Sequence, residues 1–317
     1  MGTVHQQPGF GPSRARGVAL ITVLLVVSLA TIAAVAMASR QQLDIRRAEN
    51  LLDADQADLY AQGAEQWAEQ LLARDAKRSQ VDTLGEDWAK TLPAIPVEGG
   101  AIAGSMDDLQ GRFNINSLYA DGKVNTVALA RFRRLLAEFE LDPELSAAVI
   151  DWLDPNIDPT FPGGAEDNAY LAGEQPYRAA DGPMVSPSEL LRVKGFTYDG
   201  YAKLAPFICA LPVATSINVN TAPAEVLMTL ADGLSKADGD ALVSERGTDG
   251  YKDVNSFLQS KILAGKGVAA DGLSVSSSYF LLKTNVLVGR IKLRRQSVIR
   301  RDNTGKVSVI MRAQGEL

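Results

Sequence analysis

The sequence predicts an α+β protein in which a long N-terminal helix packs on a small antiparallel sheet and a large all-α segment is inserted within that sheet. Three observations support this. An uncharged apolar segment, residues 18–39, runs on into an amphipathic pattern with helical spacing. Short strand-like segments lie within residues 101–115 and 278–315. The residues between these stretches carry apolar positions at helical spacing.

The composition excludes several classes of function. The net charge of −6 argues weakly against a nucleic-acid partner, because phosphate binding requires positive charge. The single histidine is His5, in a Pro/Gly-rich stretch, and the single cysteine is Cys209. A Ser-His-Asp or Cys-His catalytic set would therefore need His5, and a zinc site of the His/Cys type is excluded. One cysteine also forms no intrachain disulfide.

The N-terminus predicts a membrane anchor. Residues 1–17 are polar and carry Arg14 and Arg16, whereas residues 18–39 hold no charge over 22 positions. A helix of this length spans the ~30 Å hydrocarbon core of a bilayer. The arginines predict that the leader stays inside the cell and that the chain after residue 40 lies outside.

Two alternatives remain for this segment. It could be a secretory signal peptide cleaved after Ala38, although such apolar regions usually have about 7–15 residues. It could also be an uncleaved signal anchor.

The apolar segment leads into a second helical pattern without an intervening proline. One helix is therefore predicted from residue 18 to about residue 78, with Gly63 as the only helix-weakening residue after residue 40. Its second half has a single apolar stripe, formed by Ile45, Ala48, Leu52, Leu59, Trp67 and Leu71. Such a helix is suited to lie half in lipid, or among similar helices, and half against a globular head.

The remainder of the chain supplies the sheet and the inserted helices. Residues 101–106 and 109–115 are predicted as two strands, and residues 278–315 as further strands with a hairpin turn at Asp302–Gly305. Helices are predicted near residues 125–140, 143–153, 186–195 and 220–233, the last two ending at Gly195 and Gly233.

A loop within residues 151–170 carries the densest set of oxygen ligands. Clustered carboxylates repel one another unless a cation lies among them, and hard oxygens suit Ca²⁺. Pro159 and Ala165 stand where an EF-hand would have glycine and glutamate, so the loop is not an EF-hand. Asx-turns in a solvated loop explain the same residues equally well. The candidate ligands are Asp154, Asn156, Asp158, Glu166, Asp167 and Asn168.

The same carboxylates raise the possibility of a glycosidase. Asp154, Asp158 and Glu166 could provide acid–base catalysis, but nothing in the sequence places two of them across a cleft. Trp152 is expected in the core rather than on a sugar-binding platform. No catalytic residue is therefore assigned, and the protein is not expected to be an enzyme.

Two segments resemble helix-hairpin-helix units, which bind the DNA backbone through a glycine-rich hairpin. They cover residues 188–204 and 217–257, but Gly195 and Gly233 each lack the second glycine that lets backbone N–H groups approach phosphate. The neighbouring side chains are acidic, so these units are interpreted as packing elements. Arg290, Lys292 and Arg294 alternate along a strand and are interpreted as a solvated or partner-facing sheet face.

Arg16-Gly17, followed by an uncharged helix that becomes amphipathic, resembles the N-terminus of type IV prepilins and pseudopilins. The resemblance implies that prepilin peptidase cleaves between Gly17 and Val18, with methylation of the new N-terminus. The apolar segment would then remain on the mature protein.

One departure from that family is informative. Most pilins have a glutamate at the fifth mature position, where it neutralises the N-terminal amine of a neighbouring subunit, whereas this chain has Thr22. A subunit without the carboxylate suits the first position, at the tip of the filament. The K-type minor pseudopilins of type II secretion systems lack this glutamate and are unusually large, and the chain resembles them over essentially its whole length.

This resemblance implies a domain plan and a metal. The plan is a leader at residues 1–17, a transmembrane half-helix at 18–39, a pilin-like head from 40–116 and 275–317, and an inserted α-domain of helix-hairpin-helix or SAM-like units at 117–274. The Asp151–Asp154 and Gly164–Glu166 segments match those of the K-type family, in which they bind calcium.

The resemblance also implies partners and a location. The expected partners are the I-, J- and H-type minor pseudopilins, the major pseudopilin and prepilin peptidase, with no nucleic acid. The chain would cross the bacterial inner membrane once, with its C-terminal domain in the periplasm, and would initiate and cap the pseudopilus. The rival functions are a membrane-anchored DNA receptor of the competence type and a secreted hydrolase.

Overall fold

The computed structural model describes residues 1–3, 15–173 and 175–315, with side chains from residue 18 onward within the first helix. His5 and Arg14 of the predicted leader lie outside the described residues. The chain divides into two compact units, Met1–Gln56 and Ala57–Leu317, whose boundary falls within the first helix.

Helix α1 comprises Ala15–Asp75, which confirms the predicted long N-terminal helix. Arg74 lies in its last turn, where a cation interacts favourably with the carboxyl end of the helix. Within the second unit one face of α1 is buried, and the buried positions recur every three or four residues: Ala57, Ala61, Glu65, Ala68 and Leu72.

A five-stranded antiparallel sheet receives strands from both ends of the remaining chain. Its strands are β1 (Leu92–Val97), β2 (Gly100–Asp108), β3 (Tyr279–Val288), β4 (Ile291–Arg301) and β5 (Val307–Gln314), and they lie in that order across the sheet. The pairing of β2 with β3 places Gly100 opposite Val288 and Asp108 opposite Phe280. Two strands separated by 170 residues of chain are therefore neighbours.

The strand predicted over residues 109–115 is wrong. Leu109–Gly111 and Ile115–Leu118 are 3₁₀ turns, and Phe113–Asn114 forms a two-residue parallel bridge with Ile208–Cys209. The turns form because Asp108 and Asn114 accept hydrogen bonds from backbone N–H groups two residues ahead.

Strand β1 was not expected from the sequence, because Pro93 and Pro96 disfavour a strand. It lies at the edge of the sheet, where a residue without an N–H group is tolerated.

Between β2 and β3 the described chain is mainly helical. The helices are α2 (Thr126–Glu138), α3 (Leu145–Leu153), α4 (Asp167–Leu171), α5 (Tyr198–Leu204), α6 (Ala224–Leu227), α7 (Lys236–Arg246) and α8 (Val254–Leu258). They share one large apolar core that includes Phe132, Trp152 and Phe257. The α+β class is therefore confirmed, while the boundaries of an inserted domain at residues 117 and 274 stay a prediction.

Apolar packing joins the second half of α1 to one face of the sheet. Ala57 and Ala61 contact Val286 and Val288, and Leu72 packs in a cluster with Phe280. We refer to this as the inner face of the sheet. The alanines let the helix lie close to the strands, but each buries only a small apolar area. Charged contacts also hold the helix against the sheet.

Carboxylates of α1 pair with arginines of the inner face. Glu65 is 3% exposed and accepts hydrogen bonds from Arg312 at 2.8 and 3.0 Å, and also from the hydroxyl of Ser297 at 2.6 Å. Asp58 pairs with Arg295. These contacts join the helix at Asp58 and at Glu65, two turns later, to strands β4 and β5.

Arg301 forms the most buried of these pairs. Its guanidinium lies 3.0 Å from the Asp75 carboxylate and 2.5 Å from that of Asp82, and it also packs over the ring of Phe280. Burial raises the pKa of the Asp75 carboxyl to about 6, helped by the negative charges of Glu86 and Asp82. Burial likewise raises the pKa of Asp82, against the attraction of Arg301.

We predict that Asp82→Asn destabilises the protein by about 3 kcal/mol, because it removes the most buried partner of a buried arginine. The measurement is urea unfolding of the soluble fragment 40–317. Asp87→Asn, which breaks the exposed Lys90 pair, is the matched control and should leave the unfolding midpoint unchanged. Equal midpoints for the two variants would contradict a stabilising role of the buried pair.

Candidate assembly segment and metal centre

The apolar part of α1 lies wholly exposed within the first unit. The most apolar 18-residue window of this helix has a mean hydropathy of 2.8, and none of that window is buried by the described chain. Large side chains such as Ile21 and Val26 are more than 60% exposed. A continuous apolar surface of this size requires lipid or other apolar helices around it.

Three hydroxyl groups in this segment, those of Thr22, Ser28 and Thr31, are paired within the helix. Thr22 Oγ1 donates to the carbonyl oxygens of Val18 and Ala19, at 3.2 and 2.9 Å. Ser28 and Thr31 each donate to the carbonyl oxygen four residues earlier, at 2.8 Å. These side chains therefore carry little desolvation cost in an apolar environment.

The predicted processing site lies in the first turns of α1. Gly17 and Val18 are both helical. Thr22 follows one turn later as a neutral, internally bonded side chain. Cleavage after Gly17 and the assembly role of Thr22 stay predictions.

The acidic loop is organised around Asp151. This residue is completely buried in α3, and its carboxylate accepts hydrogen bonds from the N–H groups of Thr160 and Ala165, at 3.0 and 2.7 Å. Asp151 therefore binds backbone N–H groups of the loop and does not face solvent. Instead, its two oxygens fold the loop back onto the end of α3.

Gly164 permits this fold. A Cβ atom at Gly164 would lie 2.2 Å from Asp151 Oδ2 and 2.3 Å from the Thr160 carbonyl oxygen. No side chain fits there without moving the backbone, so the glycine is required by the close approach of loop and carboxylate.

Glu166 is the side chain that most clearly fits a cation. It is 6% exposed, and its Oε1 atom has no hydrogen-bond partner among the described residues. Burial, together with the nearby negative charges of Asp151, Asp154 and Asp181, raises the pKa of Glu166 to about 7. A buried oxygen without a donor, surrounded by like charge, is a suitable ligand for Ca²⁺.

The other expected ligands differ from one another in burial and in their hydrogen-bond partners. Asp154 is buried and accepts from the backbone N–H of Asn156 at 3.0 Å, and burial raises its pKa. Asp167 accepts from Ala179 N–H and pairs with Arg178 at 3.3 Å. Asn156, Asp158 and Asn168 are exposed. The structure thus groups Asp154 and Glu166 with Asp151, whereas the exposed Asn156 accepts a hydrogen bond from the backbone N–H of Asp158 at 2.8 Å.

Asp181 belongs to this group and was not among the expected ligands. It has a positive φ of 48° and contributes negative charge at both Asp154 and Glu166. It follows the loop by more than ten residues in the sequence, and only its Asp-Gly turn signal could have drawn attention to it.

A second acidic group lies in the head. Among the described residues, the carboxylates of Asp75, Asp82 and Glu86 approach within 4.8 Å of one another. Arg301 pairs with two of the three and supplies the positive charge there. The charge of this acidic group is therefore balanced by Arg301 of the same chain.

The two predicted hairpin units contribute side chains to the helical core, among them Leu190 and Leu234. Gly195 and Gly233 have φ values of +89° and +75°, which their turns require. Beside the second turn, Asp232 pairs with Arg134 at 2.6 Å, and Ser235 caps α7. Trp152 is also confirmed as a core residue, 3% exposed, with its ring edge-on to Tyr170.

Comparison with known proteins identifies the family. Residues 111–213 and 217–276 match two family models, both described as type II secretion system (T2SS), protein K. Protein K of Pseudomonas aeruginosa is 36% identical over 311 residues, which cover 95% of this chain and 93% of that protein. The chain belongs to the type II secretion system protein K family. The resemblance seen in the sequence is thereby confirmed.

Further relatives agree over similar lengths. Protein K of Pectobacterium carotovorum is 35% identical and is covered over 97% of its length. A chain in the crystal structure of the GspK-GspI-GspJ complex from enterotoxigenic Escherichia coli is similar to this structure, with a TM-score of 0.78 and 28% identity. That match covers 86% of this chain and 100% of the crystallised one.

We predict that Gly164→Ala lowers the free energy of unfolding by about 1–3 kcal/mol, since the added methyl group must displace Asp151 or the Thr160 carbonyl. Thermal unfolding of fragment 40–317 provides the measurement. Gly182→Ala is the control, because its Cβ would meet only an ordinary contact at 3.7 Å. Similar losses in both variants would show that the close approach at Gly164 is not the cause.

Proposed function

We propose that the protein is a minor pseudopilin that initiates and caps the pseudopilus of a type II secretion system. The observation that carries this proposal is the match to protein K over nearly the whole chain. The exposed apolar segment supports it, because a subunit that leaves the membrane for a filament exchanges lipid for neighbouring helices.

The proposed partners follow from the family and from the solved complex. The similar crystallised chain comes from a complex of GspK with GspI and GspJ. We propose that this chain assembles with the corresponding I- and J-type subunits, and with the H-type and major pseudopilins below them. Thr22 cannot supply a carboxylate to the N-terminal amine of a further subunit, which suits a position with no subunit above it.

The large inserted helical region would also favour a position at the tip of the filament. We propose that residues 117–274 prevent a further subunit from adding on top. The chain would act from the periplasmic side of the inner membrane in the export of folded proteins, without catalytic activity of its own.

Deletion of residues 117–274 should abolish tip-complex assembly, and intact assembly and secretion would contradict this step.

Calcium is proposed as a structural ion of the acidic loop. Asp154 and Glu166 would hold it, with Asp181 nearby and Asp151 fixing the loop through its backbone hydrogen bonds. The ion would neutralise the like charges and stabilise the loop outside the cytoplasm, where free calcium is available. The buried Oε1 atom of Glu166 supports this assignment.

We predict that Ca²⁺ raises the thermal unfolding midpoint of fragment 40–317 and protects residues 151–170 from proteolysis, because the ion binds only the folded loop. EDTA should reverse both effects, and Glu166→Gln should abolish them. Glu138→Gln, at the end of α2, is the control and should respond to Ca²⁺ as the native chain does. An unchanged midpoint with Ca²⁺ would overturn the proposed metal site.

The maturation and tip position can be tested together. We predict that mass spectrometry finds a mature N-terminus at Val18, and that Thr22→Val supports secretion. Thr22→Glu should reduce secretion, because a carboxylate without a partner in the helix bundle costs up to about 3 kcal/mol. A mature N-terminus beyond Ala38 would exclude a pseudopilin. A fully functional Thr22→Glu chain would exclude only the explanation based on residue 22.

A further inference from the structure

The last three strands of the sheet carry an unusual charge distribution. They contain no aspartate or glutamate, whereas they contain seven basic residues in a chain whose net charge is −6. The seven are Lys283, Lys292, Arg294, Arg295, Arg300, Arg301 and Arg312.

The basic residues divide between the two faces of the sheet. Arg295, Arg301 and Arg312 lie on the inner face, where carboxylates of α1 and Asp82 pair with them. Because side chains alternate along a strand, Lys292 and Arg294 lie on the opposite face, which we call the open face. Leu293, between them, packs on the inner face, as this alternation requires.

The open face combines exposed cations with small side chains. Arg294 lies opposite Asn285 on β3, which in turn lies opposite Ala103 on β2. Lys292 lies opposite Leu287, which lies opposite Ala101. These residues border a shallow depression of about 690 Å³. The alanines on β2 leave room for another backbone to approach the sheet closely.

An apolar pocket continues this depression. It has a volume of about 340 Å³, and its lining includes Cys209, Leu281, Val298 and Met311. Lys283 and Gln296 border both the pocket and the depression. A partner lying across the open face could therefore place an apolar side chain in the pocket, as interface anchors do.

The charges of the open face are only partly matched within the chain. Asp107 pairs with Lys283 at 2.7 Å and with Arg112 at 3.2 Å. Over the part of the chain that the structure describes, Lys292 and Arg294 form no ion pair. Exposed cations beside an apolar pocket are complementary to a surface that is both acidic and apolar.

We propose that the open face docks an acidic amphipathic helix of another protein, with carboxylates on Lys292 and Arg294 and one apolar side chain in the pocket beside Cys209. The inner face of the same strands provides the precedent. There an acidic amphipathic helix, α1, lies on the sheet with Asp58 and Glu65 paired to Arg295 and Arg312. The proposal depends on the sheet and the pocket beside it, and it holds whether or not the chain caps a filament.

The test measures binding of a fluorescent amphipathic peptide, with leucines on one face and glutamates on the other, to the full-length protein in nonionic detergent. Fluorescence anisotropy should show saturable binding that weakens as salt is added. The double variant Lys292→Glu/Arg294→Glu should bind about tenfold more weakly or worse. Both residues are exposed, so the fold should be retained, which circular dichroism checks.

Two controls separate this surface from general attraction between charges. Lys252→Glu/Lys261→Glu makes the same charge change at exposed positions in the helical region and should bind the peptide as the native chain does. A peptide with glutamine in place of glutamate should bind much more weakly. Equal losses in both double variants, or no saturable binding to the native chain, would overturn the proposal. Tighter binding of a single-stranded DNA oligonucleotide than of the peptide would also overturn it.

Discussion

The head of this protein depends on buried charge pairs between α1 and the sheet. The helix residues that touch the strands are mostly alanines, which bring the two elements close together but give a smooth surface with little preference for one register. Glu65 and Asp75 are bound to arginines on different strands, so a shift of the helix by one turn would leave buried charges without partners. We infer that the apolar contacts provide much of the cohesion, while the ion pairs select the register.

The parts of the structure that the sequence predicts are those governed by local pattern. The long helix follows from an uncharged segment leading into a helical pattern without proline, and the hairpin at Asp302–Gly305 follows from its turn residues. The predicted apolar stripe is not the buried face of the helix, since Leu52 and Leu59 are more than 60% exposed whereas Ala57 and Ala61 are buried. The failures occur where local chemistry competes with strand pattern. Asp108 and Asn114 redirect the backbone into 3₁₀ turns through side-chain hydrogen bonds, although the flanking residues alternate as in a strand.

The candidate metal centre shows a different limit of sequence reasoning. The spacing of Asp154, Asn156 and Asp158 indicated this loop as a candidate, but alternation alone gave no reason to choose between buried and exposed oxygens. Burial depends on α3, which carries Asp151 into the core, and on Gly164, which lets the loop close over that carboxylate. Such tertiary contacts join residues that are separated in the sequence, as does the pair between Asp82 and Arg301. A short stretch of sequence therefore does not contain both partners of the contact.

The adjacency of β2 and β3 has a consequence for how the polypeptide reaches its native state. Strand β2 is complete by Asp108, yet its neighbour begins only at Tyr279, so the central pairing must wait until nearly the whole chain has been made. Closing so long a loop is slow compared with forming the helices in between. During that interval the β1–β2 hairpin presents an unpaired edge, and Pro93 and Pro96 on its other edge limit association with further strands. The helical middle of a newly made chain is therefore expected to become ordered before the strands on either side of it have paired.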